Sequence, residues 1–394
     1  MAVIEGMRHT GNVAPSQRVV DLFPQIMLLE PSATPITVIL RSIYGQGRRT
    51  AAQDKLFSWH NDYLEARFGA AVTGVNDSAT TVDVTDGTQF AVGDVVNVPS
   101  TGENLLVTGI STNDLTVTRG FHGSTAAAIA ADEPLYILGT AATQGTTSEP
   151  ARSENPIKVD NYTQIFKTTV DASGTWRSSA NKSQPHDWVH QLKKAGLEHE
   201  RDKELAFIFG SPGESPDASN DGKPKRSTGG VLHYATENHV TQGGGALTYA
   251  EWETFMRLLF EHGSQTKTVF VSPLVLSVLN EFARVQLQTA VGATTYGVKV
   301  MEMQSAHGTV QLVKHRELKG DTYGGYGIGI DFIAGNVQYK YLDGNGAPGG
   351  SRDTKAYTDR QEPDSDGRKD EIITEAGLQF GLPEVHGVLK GVTG

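Results

Sequence analysis

The chain contains no cysteine. Disulfides and thiolate metal sites are therefore excluded, and the redox state of its compartment leaves no mark on the sequence. It also lacks any apolar run near the ~18 residues of a membrane-spanning helix, and its opening, MAVIEGMRHTGN, has no signal-peptide pattern. A soluble protein made inside the cell, with no membrane partner, is the expectation. Basic charge is in deficit: 34 Lys and Arg stand against 45 Asp and Glu, for a net charge of −11. Tight, sequence-independent nucleic-acid binding needs a basic footprint. The densest basic cluster, KPKR at Lys223–Arg226, sits among Gly, Pro, Ser and Asp and reads as a solvated loop. Aromatic residues make up only 8% of the chain, whereas glycine is plentiful at 44 of 394 residues. At ~100–200 residues per domain, two or three domains with many turns are expected.

Residues 1–50 read as an extended arm, since prolines at positions 15, 24, 31 and 35 prevent any long helix. LFPQIMLLEPSATPITVILRSI carries apolar surface with no period of its own, so the arm must dock on its own body or on a neighbour. Residues 68–142 change character. TTVDV, DVVNV, LLVTGI, LTVTRG and PLYILG are short β-type runs separated by Asp-Gly, Gly-Asp and Asn-Asp turns, which predicts a small all-β module inserted in a larger domain. Its flanks, residues 51–67 and 143–182, are strand-prone. Asn161–Ser173 alternates as a long strand with little core of its own, and reads as one arm of a protruding hairpin.

A long helix is predicted from Ser183 and Pro185 to Phe209, ~37 Å at 1.5 Å per residue. Its ends are apolar, but Glu198–Glu204 (EHERDKE) contains no apolar side chain. Lys194–Glu198, Glu198–Arg201 and Glu200–Lys203 are helix-neighbour pairs, and a solvated face crossing an open surface accounts for them. Residues 183–228 hold this helix and a polar loop. Residues 229–335 read as an α+β layer: Thr248 and Glu251 form a capping box, Ser272 and Pro273 start a second helix, and KTVFVS is a buried strand. Residues 336–394 return as strands around a turn at Pro383.

Catalytic and cofactor signatures are few. His186 and His190 stand four apart in HDWVH, similar to the zinc motif H-E-x-x-H, but aspartate replaces its glutamate, and His199 faces the other way. GGYGIGID (Gly324–Asp331) has no helix immediately after it to hold a pyrophosphate, so a glycine strand that admits another backbone is the better reading. DGNGAPGG (Asp343–Gly350) lacks the full calcium-loop spacing and reads as a turn. There is no P-loop and no G-x-S-x-G. No enzyme activity, cofactor or metal is expected.

Taken in order, these pieces resemble the major capsid proteins of tailed bacteriophages with the Hong Kong 97 fold, of the siphophage-type family with a β insertion in the extended loop. The matching stretches are SATPITVILRSI, FSWHNDYLEAR, NYTQIFKTTVDASGTW, KKAGLEHERDKELAFIFG, VFVSPLVLSVLNEFA and DEIITEAGLQFGLPEVHGVLKG. Residues 68–142 resemble a small β module that recurs in phage structural proteins. The resemblance implies an α+β fold with an N-terminal arm, an extended loop, a peripheral domain carrying a spine helix, and an axial domain. It further implies self-assembly through pentamers and hexamers into an icosahedral shell around double-stranded DNA, in the virion after assembly in the host cytoplasm. A separate scaffolding protein (or a leader absent from this sequence), a portal and a decoration protein are the partners implied.

On this resemblance the polar middle of the spine helix would face the genome, and an acidic protein would contain DNA without gripping it. Arg48, Arg49, Phe57, Trp59 and Tyr63 are the candidates for contact between subunits, with intramolecular packing of the aromatics as the alternative. Lys55, Lys158, Lys167 and Asn336 carry no motif for the inter-subunit Lys–Asn crosslink known in the wider fold. Another phage component of tail or decoration type, a metal-dependent hydrolase using His186 and His190, and a cellular compartment of the same fold are the competing readings.

Overall fold

The computed structural model describes residues 34–42, 49–142, 144–145, 153, 155–179, 187–241, 245–286, 290–295, 298–333, 336–343 and 350–393. The chain divides into two compact units, residues 1–60 with 158–394 and residues 61–157. Both helices and strands build the larger unit, an α+β arrangement.

Two sheets organise the larger unit. In the first, the strands Arg49–Ala52, Gln338–Leu342, Gly367–Gln379 and Gln164–Ser173 lie side by side, and Lys355–Tyr357 also pairs with Gly367–Gln379. In the second, seven strands run in the order His239–Thr241, Gly387–Lys390, Gly327–Ile330, Thr266–Val271, Thr309–Lys314, Val298–Gln304 and Ala290–Thr295. The C-terminal segment therefore joins the two sheets, because its strand Gly367–Gln379 belongs to the first and Gly387–Lys390 to the second. Between them Leu382 adopts a left-handed backbone (φ +54°) just before Pro383, and buried His386 holds the corner. Its Nδ1 accepts from Asp331 N at 3.1 Å, its Nε2 donates to Gly381 O at 3.1 Å, and its ring lies 4.0 Å from that of Phe380. Residues 336–394, expected to return within one domain, thus divide between two sheets, because a turn at Pro383 does not reveal which sheet receives the second strand.

The helices follow local rules. Thr248 accepts from Glu251 N while Glu251 reaches back to Thr248 N at 2.7 Å, the reciprocal cap expected for the helix Tyr249–Leu259. That helix buries Trp252, Phe255, Met256 and Leu259 against the second sheet. The glycine strand Gly327–Ile330 is wholly buried, and a Cβ on Gly329 would stand 2.8 Å from Leu259 Cδ1, so glycine here leaves room for the buried Leu259 side chain. Lys267, also fully buried, donates to the carbonyls of Leu259, His262 and Val385 at 2.6–2.8 Å and so closes the helix C-terminus, where cations are favoured. Burial lowers its pKa to about 8, against the opposing pull of Asp331.

Three expectations change. Residues 35–42 of the arm are helical, with Pro35 at the first position, where proline's missing N–H costs no bond. The KPKR stretch is a strand: Lys223–Ser227 pairs with Gly213–Asp217 in an exposed hairpin. Gln164–Ser173 is no protruding arm, for all ten of its residues pair antiparallel with Gly367–Gln379. The two-stranded ribbon is formed instead by Leu56–Asn61 and Ile157–Tyr162. Alternation marks a strand but does not identify the partner that covers it.

The smaller unit is a six-stranded antiparallel sheet in the order Phe68–Ala70, Pro134–Thr140, Asp94–Val98, Glu103–Ser111, Asp114–Thr118 and Thr81–Asp83. A bridge between Ala71 and Val84, with Val72 N donating to Asp83 O at 2.8 Å and Thr85 N to Ala70 O at 3.0 Å, ties the last strand to the first and closes a small barrel. Val82, Val96, Val98, Leu105, Val107, Leu115, Leu135 and Ile137 fill it. Fully buried Glu103 receives Arg119 in bidentate fashion at 2.8 Å and 2.8 Å, plus the N–H groups of Gly120 and Ala127. Burial acts to raise the Glu103 pKa, but Arg119 and those amides together outweigh it and hold it below the ordinary value. Residues 61–157 contain twelve acidic and three basic residues, a net charge of −9 within the whole chain's −11, and no lysine. The larger unit, with 33 acidic and 31 basic residues, is nearly neutral.

Candidate functional site

The long helix runs from Asp187 to Phe209, and residues 180–186, with the predicted cap, lie outside the described residues. Its polar middle is not wet all round. His199, Lys203 and Glu204 are buried, each with at most 1% of its surface exposed. Successive helix residues are rotated by ~100°, so neighbouring positions aim at different partners. Here each partner is itself polar.

Glu204 points at the arm. Its carboxylate accepts Ile36 N at 2.7 Å, Thr37 N at 2.7 Å and the Thr37 hydroxyl. These are the free N–H groups of the first turn of the helix Pro35–Ser42, where Pro35 has none to offer. A residue some 167 positions away in sequence thus caps the arm helix and sets a negative charge at its positive end. His315 Nε2 donates to the same carboxylate at 3.0 Å, and its Nδ1 accepts Glu317 N at 3.2 Å, an assignment that leaves the imidazole neutral with Nε2 protonated. One turn earlier Glu200 holds Arg41 at 3.0 Å. Ile36, Ile39 and Leu40 enter the same core as Phe207, Ile208, Tyr339 and Leu378.

A second chain of bonds crosses to the first sheet. Thr168 donates to His199 Nδ1 at 2.9 Å, and His199 Nε2 donates to Thr374 at 2.7 Å. Thr374 then donates to Thr354 at 2.9 Å, where Lys203 Nζ also arrives at 3.2 Å. The directions are mutually consistent for a neutral His199. Burial first, and then the charge of Lys203, lowers its pKa to about 4. Burial likewise lowers Lys203 to about 8, partly offset by Glu200 at 2.6 Å. Burial would raise Glu200, but Lys203 and Arg41 together hold it below its ordinary value. On a third side Arg201 forks onto Glu317 at 2.6 and 3.1 Å. Of the pairs expected from sequence, Lys194–Glu198 forms at 3.7 Å on the surface and Glu200–Lys203 forms in the interior, while Arg201 turns away to Glu317.

Three of the candidate contact residues, Phe57, Trp59 and Arg49, belong to the larger unit. Phe57 and Trp59 are buried at 9% and 5% exposure and pack with Ala52, Val159 and Tyr234. Phe57 lies over Gly377 of the closing strand, where a Cβ would come within 2.8 Å of its ring. Trp59 meets Tyr234 edge-on at 5.4 Å. Arg49 pairs with Asp353, which also accepts from the Tyr339 hydroxyl at 2.8 Å, and stacks 5.0 Å above Tyr341. Burial raises the Tyr339 pKa to about 12. Tyr63 is surface-lying at 37% exposure, and Arg48 lies outside the described residues. Lys55 pairs with Glu214 at 2.7 Å, Lys158 with Asp160 at 2.9 Å and Lys167 with Glu371 at 3.9 Å, while Asn336 accepts from Gln338 at 2.9 Å.

Sequence reasoning missed two keystones. Asn161 is buried. It donates to Leu378 O at 2.7 Å and Gly229 O at 3.1 Å, and it accepts Gly229 N at 2.7 Å. Glu375 is gripped by Arg226 at 2.8 Å and Arg352 at 2.5 Å. Nothing in the local pattern marks either. The only signal is a polar residue where the strand pattern calls for an inward one.

Among the described residues no three His, Cys, Asp or Glu side chains are grouped to hold a metal; His190 is partly exposed, and His186 and residues 344–349 lie outside the described set. These features are internal clasps that fix an arm, a long helix and two sheets, and they define a structural subunit. A family model described as SU10 major capsid protein matches residues 4–393, and the chain belongs to that family of bacteriophage major capsid proteins. It is a shell-forming component of the virion. It is 23% identical over 382 residues to the major capsid protein of Pseudomonas phage PaMx41, covering 92% of this chain and 90% of that one. Among solved structures it is similar to the capsid of an empty GTA particle (10% identity, 98% and 97% coverage, TM-score 0.49) and to Microbacterium phage Oxtober96 (9% identity, 96% of each chain, TM-score 0.49). Family membership does not favour the tail, decoration or hydrolase readings.

Proposed function

We propose that the chain assembles with copies of itself, through pentamers and hexamers of a Hong Kong 97-type subunit, into an icosahedral shell that encloses double-stranded DNA. Assembly takes place in the host cytoplasm with a separate scaffolding protein and a portal, and a decoration protein joins the finished shell. The match over residues 4–393 carries this reading, because it spans the arm, the inserted barrel and both sheets. Heterologous contacts that close into rings need a subunit whose edges hold a fixed angle. The clasps at Glu204, Arg201–Glu317 and Glu375 supply that rigidity. Tyr63 and Arg48 remain the contact candidates toward neighbours, while Phe57 and Trp59 support the ribbon from within and Arg49 braces the first sheet. Electron microscopy of the purified full chain, with scaffold co-expressed in a second arm, tests the reading. Closed particles with five- and six-fold clusters are expected, and dispersed single chains under both conditions would refute it.

A further inference from the structure

The inserted barrel has an outer wall that is not uniformly polar. Phe68 and Tyr136 face each other across neighbouring strands, with ring centroids 6.3 Å apart. Leu138 follows two residues along the same strand, on the same side. The three are 62%, 48% and 63% exposed, while the intervening Leu135 and Ile137 fill the core. Beyond Tyr136 the row continues to Asn97, whose side chain donates to Asn104 at 2.8 Å, so a polar rim borders the apolar strip. Clustered aromatic and aliphatic side chains with a polar border mark a contact surface.

Charge selects what covers it. A unit carrying −9 and no lysine repels an identical unit, which disfavours barrel-to-barrel contact. The larger unit holds 31 of the chain's 34 basic residues and is almost neutral, so it can approach the barrel without that cost. We infer that the Phe68–Tyr136–Leu138 strip docks on the larger unit of a neighbouring copy of this chain. The inference rests on the shell reading above and gives the inserted barrel a role in it: a brace between subunits.

The composition supplies a clean test. The natural chain has no cysteine and the barrel no lysine. A Leu138→Cys variant therefore carries a single thiol, and a thiol-to-amine crosslinker attached there can reach no lysine within residues 61–157 of any copy. Shells assembled from the purified variant alone should give dimer-mass products joining the introduced thiol to larger-unit lysines, absent from dilute unassembled chains. Only monomer-mass products, or none although the thiol reacts with a maleimide dye, would overturn the inference while leaving the shells intact. Absence of shells from the unmodified chain, both alone and with scaffold co-expressed, would instead sink the shell reading. If Leu138→Cys itself blocks assembly, Tyr136→Cys takes its place. A triple Phe68→Ser, Tyr136→Ser, Leu138→Ser variant adds a second readout. Its shells should come apart at a lower denaturant concentration with the subunit's own unfolding midpoint unchanged, and equal shell resistance would count against the strip.

Discussion

His199 shows what one buried side chain can do to the pH response of the subunit. Its ring is spanned by the hydroxyls of Thr168 and Thr374, and Lys203, Glu200 and Arg41 are the charges around it. The folded state holds the imidazole neutral to about pH 4, whereas an unfolded histidine protonates near ~6.5. Between those values the unfolded chain binds more protons. The contribution of His199 is therefore complete above ~6.5 and is lost as pH falls through the folded value, a change on the order of 3 kcal/mol. Urea midpoints measured from pH 7 to pH 4 should fall in the natural protein and flatten in His199→Gln. Parallel curves for the two would show that the titration lies elsewhere.

At the scale of elements, the arm helix Pro35–Ser42 has eight residues, too few to persist alone. It persists because Glu204 satisfies its first-turn amides and because Ile36, Ile39 and Leu40 are buried. Glu204→Ala removes the acceptor from two buried N–H groups and from the neutral His315, and each buried donor left unsatisfied costs about 1–3 kcal/mol. Hydrogen exchange should speed up at Ile36 and Thr37 ahead of the rest of the core. Unchanged protection there would mean that the apolar contacts alone hold the helix. The closing strand follows the same logic, since Gly377 leaves room for Phe57 and Thr374 and Glu375 receive the helix and the arginines.

At the scale of the whole molecule, the acidity belongs to the inserted barrel. The net charge of −11 therefore says little about a surface that faces DNA, and the polar middle of the long helix is largely occupied by the arm, the first sheet and Glu317. Residues 34–42 dock on their own chain, so the strap expected of the arm is tested on residues 1–33. Deleting those residues should leave the subunit's unfolding midpoint in place and lower the temperature at which assembled shells dissociate. Shells equally stable without them would remove the strap from the account.

The sequence by itself determined what is local: the capping box at Thr248, the proline-led helix after Ser272, the run of short strands inserted in the larger unit, the long helix with its charged centre, and, through the order of these pieces, the capsid family. Such features are set by periodicity and by backbone chemistry over a few residues. Only the tertiary structure decided where each polar residue finds its partner. Glu204 and Thr37, Asn161 and Leu378, and Glu375 and Arg226 lie 149 or more positions apart. A charged residue destined for the interior reads the same in sequence as one bound for water, because its burial depends on partners that the chain delivers from far away.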